Sequence, residues 1–490
     1  MPRDTEVTLT FLNGTTTVGG VQALVQAGDS ALCFDFGATP NPSGSLFSRP
    51  SPPPQAGSLV AHLRAGMAPL VEGLYDRAQL AGSGEGVATA CEPLRHDGRL
   101  LDGMPLVSHL EHIGIFVSHV HNDHCGLLPF AGPDVPVIMS ADGAALHGGL
   151  VEVGALPPTP ARVRGLEDGA RQQIGDLNLE LVPVDHDVPG AAGFVLTAGN
   201  RRVAWTGDWR AHGHAPQRMV DFAERAAGVD VLVTEGTTLR PDASPVRPLS
   251  EQELTERVDR LLAGTDGLAF VTPYPRNLQR LAALRDVASA NGRTLVLRPE
   301  TLAGWRAAAR HGLSAPELNG GGKPIAILAA DSSGDGPGGG GHVEVGVEDL
   351  RRDRNEFLVE LQVADRWVAL AVGAGPGDLL LHCNGEPLGP WAAEWTSLSA
   401  WVKALGLDFV WLDSGGHATP DDLAWLVETV RPGAVVAVHS AYPELFPRTR
   451  VPLVLPRRGI PFAVSRPAPL GRGARGADPG RTVLACVSSS

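Results

Sequence analysis

The sequence has few cysteines and lysines, and it lacks long apolar runs. Its five cysteines are scattered over 490 residues without a Cys-x-x-Cys pair, which argues against a disulfide framework or a cysteine zinc site. Lysine occurs only at Lys323 and Lys403, an arginine bias that suits phosphate contacts but that we attribute mainly to a GC-rich genome. No apolar run approaches the roughly 18–20 residues of a membrane span. We therefore expect no membrane association.

Composition points to a globular protein of two or three domains. Hydrophobic residues make up 43% of the chain, enough for a full core. The net charge of −14 argues against a protein that binds nucleic acid through bulk charge, although an enzyme with a local basic groove remains open. The first residues, MPRDTEVTLTF, contain no signal-peptide apolar region, so we expect a cytoplasmic protein.

The order of helix and strand signals indicates two interleaved α/β units. Residues 5–36 read as strands, with a hairpin signal at 27–30, and the Pro- and Ser-rich segment 39–57 reads as a loop. From about residue 245, helices and strands alternate as in a doubly wound parallel sheet, interrupted by a Gly-rich loop at 331–342. We expect a first domain part at 1–240, an insert at 241–390, a closing part at 391–465 and a flexible Arg- and Gly-rich tail at 466–490.

A cluster of metal-ligand types follows one buried strand. The segment FVSHVHNDHCG runs over residues 116–126 and contains His119, His121, Asp123 and His124. Two histidines one residue apart can converge on one metal, whereas the aspartate and the third histidine can serve a second. Imidazole nitrogen with carboxylate oxygen is the ligand mixture typical of zinc or manganese. A chance cluster on a solvated loop is the weaker interpretation.

Three more polar residues stand where a strand ends. His186 ends LVPVDH, Asp208 ends VAWTGD and His439 ends AVVAVH. Active sites of layered α/β proteins gather at such positions. Each residue alone is more often a solvated loop residue, but together with the first cluster the three predict further metal ligands.

These motifs, in this order, resemble those of the metallo-β-lactamase hydrolase fold. CFDFG with Asp35 is similar to the first motif, a buried aspartate that orders the metal loop. LVTEGT with Glu235 and DSGGHATPDDL with His417 resemble motifs of the β-CASP nuclease branch, and the insert resembles that of ribonuclease J-like enzymes. The resemblance implies an α/β fold: a four-layer αββα metallo-β-lactamase fold with an inserted α/β β-CASP domain.

The resemblance also implies roles for these residues. One ion would take His119, His121 and His186, the other would take Asp123, His124 and His439, and Asp208 would bridge the two. The pair of divalent ions, zinc with manganese as the alternative, would activate a water that attacks a phosphodiester. Glu235 would orient His417, which would act as the general acid. A loop or capping role is the alternative for His417.

Two segments have the character of phosphate-binding turns. Ser414 and Gly416 lie in SGGHA, a Gly-rich turn before a helix, whose backbone N–H groups could bind a phosphate. PYPRN opens another helix, and there Arg276, Asn277 and Arg280 could do the same. Solvated helix charges are an equal alternative for the two arginines.

The leading functional interpretation is a metal-dependent ribonuclease acting on single-stranded RNA. Three alternatives stay open: a DNA nuclease of the same branch, a small-molecule hydrolase of thioesters or lactones, and a nonenzymatic RNA-binding subunit. The insert argues against the small-molecule enzyme. A nonenzymatic subunit could lose metal-binding residues freely, whereas this sequence has a suitable residue at every expected metal-ligand position. A homodimer is an open alternative to a monomer.

Overall fold

The structure is a computed structural model. It describes residues 6–38, 58–80, 87, 106–241, 247–314, 322–329, 343–362, 365–384, 393–465 and 483–485. The predicted loops at 39–57 and 331–342 lie outside these residues, as do 466–482 and 486–490 of the predicted tail. Within the described parts of the chain, no helix has the length and apolar character needed to cross a membrane.

Three β-sheets and the helices that cover them make up the described structure. The strands are β1 (Val7–Asn13), β2 (Gln22–Ala27), β3 (Ser30–Phe34), β4 (His112–Phe116), β5 (Val137–Ser140), β6 (Val163–Leu166), β7 (Arg171–Ile174), β8 (Leu177–Pro183), β9 (Ala192–Ala198), β10 (Arg201–Trp205), β11 (Val231–Glu235), β12 (Ala269–Pro273), β13 (Thr294–Leu297), β14 (Ala326–Leu328), β15 (Glu344–Val345), β16 (Phe357–Glu360), β17 (Leu379–Cys383), β18 (Asp408–Trp411), β19 (Ala434–Val438), β20 (Leu453–Leu455), β21 (Phe462–Ala463) and β22 (Val483–Ala485). The α-helices are α1 (Ser58–Arg64), α2 (Asn122–Cys125), α3 (Ala141–Glu152), α4 (Gln217–Arg225), α5 (Glu251–Ala263), α6 (Leu278–Ala290), α7 (Pro299–Arg310), α8 (Val347–Arg352), α9 (Arg366–Ala371), α10 (Ala393–Leu405) and α11 (Pro420–Val430).

Two of the sheets pack face to face. Their strand orders are β21-β1-β2-β3-β4-β5-β6 and β22-β20-β19-β11-β10-β9-β8-β7. Buried aromatic rings fill the space between them, with Phe34 of the first sheet stacked 4.1 Å from Phe194 of the second and 5.1 Å from Trp205. Helices α1 and α3 cover the outer face of the first sheet, and α4 and α11 cover the second. This arrangement confirms the predicted four-layer αββα fold.

Local sequence signals explain several elements. Gly28, with φ of +60°, makes the tight turn of the β2–β3 hairpin, a conformation that residues with a Cβ rarely adopt. Helix α5 begins with the predicted capping box, in which the Ser250 side chain accepts from the Glu253 N–H and the Glu253 carboxylate accepts from the Ser250 N–H. Both predictions are confirmed.

The third sheet forms the core of the insert and is parallel throughout, in the order β15-β14-β13-β16-β12-β17-β18. Strand β18 pairs with β17, so the insert extends to Trp411 and the boundary predicted at residue 390 is wrong. The flexible tail needs a correction as well, because β22 pairs with β20 at the edge of the second sheet.

The insert shares a hydrophobic core with the first sheet. Leu146 and Leu150 of α3 belong to the same buried cluster as Leu302 and Trp305 of α7. The two helices approach closely at Gly149, where a Cβ would lie 2.3 Å from the backbone nitrogen of Ala308. This close approach fixes the insert against the sandwich.

Candidate metal centre

The predicted ligands lie at strand ends that meet at one edge of the two sheets. Strands β10, β11 and β19 are mutually parallel, and β8 runs in the same direction because both β8 and β10 are antiparallel to β9. Their carboxyl ends therefore open on the same side. The residues that follow the strands are His119 and His121 after β4, Asp123 and His124 in α2, His186 after β8, Asp208 after β10 and His439 after β19.

The structure brings all seven residues together. His119, His121 and His186 each offer one possible metal-ligand atom, and these three atoms lie within 4.8 Å of one another. Asp123, His124 and His439 form a second such set. The Asp208 carboxylate lies between the sets. Its Oδ2 is 3.3 Å from His124 Nε2, 3.5 Å from His439 Nε2 and 3.9 Å from His119 Nε2.

Asp35 organises the loop that carries the first four of these residues. It is 1% exposed and has φ of +51°, which is strained for a residue with a Cβ. Its carboxylate accepts hydrogen bonds from the Ser118 N–H at 2.7 Å, the Ser118 hydroxyl at 3.0 Å and His124 Nδ1 at 2.8 Å. These bonds fix the backbone and side chain at the start of the metal loop.

Hydrogen bonds on the far side of three rings, those of His119, His124 and His186, decide which nitrogen faces the centre. A carboxylate only accepts, so His124 Nδ1 donates to Asp35 and leaves Nε2 as the lone-pair atom. The Ser118 hydroxyl gives its proton to Asp35, so His119 Nδ1 donates to that hydroxyl at 2.9 Å. His186 Nδ1 likewise donates to the Gly416 carbonyl at 2.6 Å.

The inward Nε2 atoms therefore face other acceptors. The Nε2 atoms of His119, His121, His124 and His186 are buried without a hydrogen-bond partner in the described part of the chain. Acceptors held this close repel one another unless a positive charge lies between them. Burial lowers the pKa of His121 to about 4 and that of His119 well below its usual value, which favours the neutral ring that a metal ligand requires. At His124 burial is outweighed by the carboxylates of Asp208 and Asp35, which raise the pKa, so that ring must lose a proton when it binds a metal. The residues thus fit the divalent ions that the fold family implies.

His417 and Glu235 lie beside this group. His417 Nδ1 is 3.0 Å from Glu235 Oε2 and 3.7 Å from Asp208 Oδ2, with the ring turned so that the first contact is an ion pair rather than an aligned hydrogen bond. Glu235 is 1% exposed, and its Oε1 accepts from the backbone N–H groups of Trp209 and Ala418. The carboxylate is therefore fixed, and the ring edge is held against it.

The insert contributes one loop to the centre. The Tyr274 ring lies edge-on to His121, 5.2 Å between ring centroids, and Arg276 donates to the Val120 carbonyl at 2.7 Å. Arg276 is half-buried and stays a candidate for phosphate binding. The loop that follows β12 thereby forms one wall of the cleft over the histidines.

The prediction that Asn277 and Arg280 bind phosphate needs correction. The Arg280 guanidinium is 1% exposed and donates to both carboxylate oxygens of Glu251, at 2.6 and 2.9 Å, and to the Ser414 carbonyl. Asn277 is 2% exposed and caps helix α6 by accepting from the Arg280 N–H. With these donors buried and already bound, neither residue is a phosphate ligand.

The predicted Gly-rich turn lies directly against the centre. The Ser414 hydroxyl is buried, and neither it nor the N–H groups of Gly415 and Gly416 has a hydrogen-bond partner in the described structure. Sequence reasoning missed one neighbour of this turn, Asp187, whose Oδ1 lies 3.2 Å from His186 Nε2. The available signal was its position directly after a strand-end histidine.

Comparison with known proteins agrees with this arrangement. The family described as "Beta-lactamase superfamily domain" matches residues 95–258. Ribonuclease J of Mycobacterium tuberculosis (strain ATCC 25618 / H37Rv) is 29% identical over 188 residues, which are 36% of this chain and 32% of that protein. Ribonuclease J of Thermus thermophilus is 26% identical over 212 residues, 40% of this chain and 36% of that protein. The chain thus matches about a third of the length of these relatives.

A solved structure extends the likeness of the fold. The crystal structure of a protein of unknown function from Enterococcus faecalis V583 matches with a TM-score of 0.73 at 23% identity. The match covers 94% of this chain and 100% of that chain. The two proteins therefore share a fold that includes both the sandwich and the insert.

Proposed function

We propose that this chain, a ribonuclease J-like protein with a β-lactamase superfamily domain, is a metal-dependent nuclease that hydrolyses phosphodiester bonds of single-stranded RNA. The observation that carries the proposal is the group of inward histidine nitrogens and carboxylate oxygens at the edge of the two sheets. The likeness to ribonuclease J supports RNA as the substrate class.

In this proposal, seven side chains would hold two ions. His119, His121 and His186 would hold one, Asp123, His124 and His439 would hold the other, and Asp208 would contribute to both. When bound, a pair of divalent ions would activate a water as the nucleophile and would offset the negative charge that builds up on the phosphate as the bond to its leaving oxygen breaks. The imidazole-rich donor set favours zinc, and the carboxylates keep manganese as the alternative.

His417 supplies the proton for the leaving oxygen. Burial lowers the pKa of its imidazole, but the Glu235 carboxylate outweighs burial and raises the pKa to about 9. His417 is therefore protonated at neutral pH, as a general acid must be before the bond breaks. Glu235 pairs with Nδ1 of His417, so Nε2 on the other side of the ring is the atom that donates the proton. Bound ions would lower this pKa again.

The Gly-rich turn is the proposed phosphate cradle. Among the described residues, the N–H groups of Gly415 and Gly416 and the Ser414 hydroxyl have no hydrogen-bond partner, and they are donors beside the proposed metal ligands. Such a row of donors suits an anion. Arg276 adds a positive charge from the opposite wall, formed by the insert. The scissile phosphate would thus be held between the turn and the ions.

Cleavage of labelled RNA tests the proposal. Full-length protein purified without chelator should contain about two transition-metal ions per chain by elemental analysis. It should cleave 5′-labelled single-stranded RNA, and chelator should stop the reaction. His121→Ala should lower both metal content and cleavage, whereas His311→Ala, an exposed histidine paired with Glu152, should change neither.

Three outcomes separate the alternatives. Metal-free protein that still cleaves RNA would refute the mechanism. Cleavage of DNA but not RNA of the same sequence would favour the DNA nuclease. Hydrolysis of thioesters or lactones without nucleic-acid cleavage would favour the small-molecule enzyme. A homodimer stays a prediction, which sedimentation equilibrium measures.

A further inference from the structure

Asp187 stands inside the ligand group although no predicted ligand set includes it. The residue follows His186 in the segment VDHDVPG. Its Oδ1 lies 3.2 Å from His186 Nε2 and 3.4 Å from His121 Nε2, and its side chain is 19% exposed. Among the described residues, this buried oxygen has no hydrogen-bond donor. An unpartnered carboxylate oxygen thus points at two of the three histidines proposed to hold one ion.

The nearer histidine offers this carboxylate a lone pair. His186 Nδ1 gives its proton to the Gly416 carbonyl, so Nε2 of the neutral ring is an acceptor. Two acceptors 3.2 Å apart repel each other unless a cation lies between them. The pair His124–Asp208 has the same relationship, with an unpartnered Nε2 3.3 Å from a carboxylate oxygen. Asp187 therefore relates to His186 as the proposed ligand Asp208 relates to His124.

The turn that carries His417 confines Asp187 to this position. A Cβ on Gly416 would lie 2.9 Å from both Cγ and Oδ2 of Asp187 and 2.8 Å from Cε1 of His186. Such separations are closer than van der Waals contact, so the backbone of the turn already packs against both side chains. The carboxylate cannot swing away on that side and stays turned toward the histidines.

We propose that Asp187 is a fifth protein ligand of the ion held by His119, His121 and His186, in addition to the shared Asp208. The inference rests on the proposed function, because it concerns one of the two proposed ions. The Asp187 carboxylate adds a second negative charge and a second hard oxygen to a set that otherwise holds three neutral imidazoles and the shared Asp208. Hard oxygen donors favour manganese more than imidazoles do. Asp187 thus makes this position more tolerant of manganese than three histidines and Asp208 alone would.

Metal affinity of the full chain tests the assignment. Asp187→Asn keeps the shape of the side chain and removes its charge. Zn²⁺ and Mn²⁺ binding to the metal-stripped protein is measured by competition with a chromogenic chelator. Asp187→Asn should weaken metal binding at one of the two sites at least tenfold, while the affinity of the other site stays as in the native protein. The loss of affinity should be larger for Mn²⁺ than for Zn²⁺. Asp168→Asn, a carboxylate on the surface with its side chain 55% exposed, should bind both ions unchanged.

X-ray absorption and diffraction of the zinc-loaded native protein test the bond directly. An Asp187 oxygen at about 2.0–2.2 Å from the ion supports the assignment. An oxygen farther than about 3.5 Å, or native affinities in Asp187→Asn, overturns it. If the native protein binds two ions and Asp187 proves irrelevant, only this inference fails. If the native protein binds none, the proposed function fails with it. Circular dichroism and thermal melting confirm that the variant is folded.

Discussion

Glu235 Oε2 lies 3.0 Å from His417 Nδ1, while its Oε1 accepts hydrogen bonds from the backbone N–H groups of Trp209 and Ala418. The carboxylate is thereby fixed between a strand end and the turn that carries the histidine. The edge of the imidazole contacts this anchored charge, and its Nδ1 lies 3.7 Å from Asp208 Oδ2. The arrangement fits a proton donor and also a metal ligand, because atoms of Asp208, Glu235, His417 and His439 lie within 4.8 Å of one another.

The first prediction separates these two roles of His417. His417→Ala should retain its metal and its fold, whereas RNA cleavage should fall by roughly 100- to 10,000-fold, the usual contribution of general acid catalysis. Glu235→Gln should cost less, because Glu235 only orients and polarises the ring. Elemental analysis and single-turnover cleavage of labelled RNA measure the two effects.

The leaving group provides the control. A nitrophenyl phosphodiester needs no proton on its leaving oxygen, so most of the loss in His417→Ala should disappear with this substrate. Loss of metal from the variant would make His417 a ligand. An equally large defect on the nitrophenyl substrate would exclude proton transfer and leave phosphate binding as the role of His417.

The second prediction compares two neighbouring glycines of the turn. Gly416→Ala should lower metal content and cleavage at least tenfold, because the new methyl group would strike His186 Cε1 and the Asp187 carboxylate within 2.9 Å. Gly415→Ala should keep its metal content, since a Cβ there meets nothing within 4 Å. Elemental analysis and RNA cleavage of the two variants are the measurement. Equal behaviour of the pair would contradict the packing of the turn.

The third prediction concerns the buried charges between the insert and the sandwich. Glu251 accepts hydrogen bonds from the guanidinium groups of Arg280 and Arg210, and all three side chains are almost fully buried. Glu251→Gln leaves the buried Arg280 without its carboxylate partner and Arg210 with only Asp185, 4.0 Å away, so the free energy of unfolding should fall by about 3–5 kcal/mol. Glu256→Gln, on the exposed face of the same helix, should stay within about 0.5 kcal/mol of the native protein.

Urea denaturation followed by circular dichroism measures these differences. A Glu251→Gln variant as stable as Glu256→Gln would mean that the arginines find solvent or other partners. Arg280 would then regain its interpretation as a phosphate ligand.

The fourth prediction tests how the insert is attached. Gly149→Ala puts a methyl group 2.3 Å from the backbone nitrogen of Ala308, so α3 and α7 must separate and the protein should lose about 1–3 kcal/mol. Gly304→Ala lies in the opposite helix, where a Cβ meets Leu150 at an ordinary 3.7 Å. It should be neutral or stabilise by up to about 1 kcal/mol, because alanine favours a helix over glycine. Chemical denaturation of both variants compares them, and equal stabilities would contradict the close helix contact.

Much of the fold and the convergence of the ligand residues could be predicted from the sequence. Strand ends and polar residues that follow them are local signals, and parallel strands bring their carboxyl ends together. The insert boundary was wrong because helix–strand alternation continues through β18 without a break, so only the pairing of β18 with β17 assigns it to the third sheet.

The sequence pattern could not predict which charged residues are buried. Arg280 reads as an exposed helix charge because its partners come from distant segments: Glu251 in another helix and the carbonyl oxygens of Cys383 and Ser414. Asp187 was missed for the opposite reason. Its neighbours are local, but a carboxylate after a strand is common on solvated loops, and only the distances to His121 and His186 distinguish it.

The core shared by α3 and α7 determines how the protein melts. Two units with separate cores can unfold one after the other, each with its own heat absorption. Here, parting the insert from the sandwich would expose Leu150, Leu302 and Trp305 to water, which is unfavourable before either unit unfolds by itself. Heating should therefore give one calorimetric endotherm, and an ion bound in the cleft should move that whole endotherm to a higher temperature.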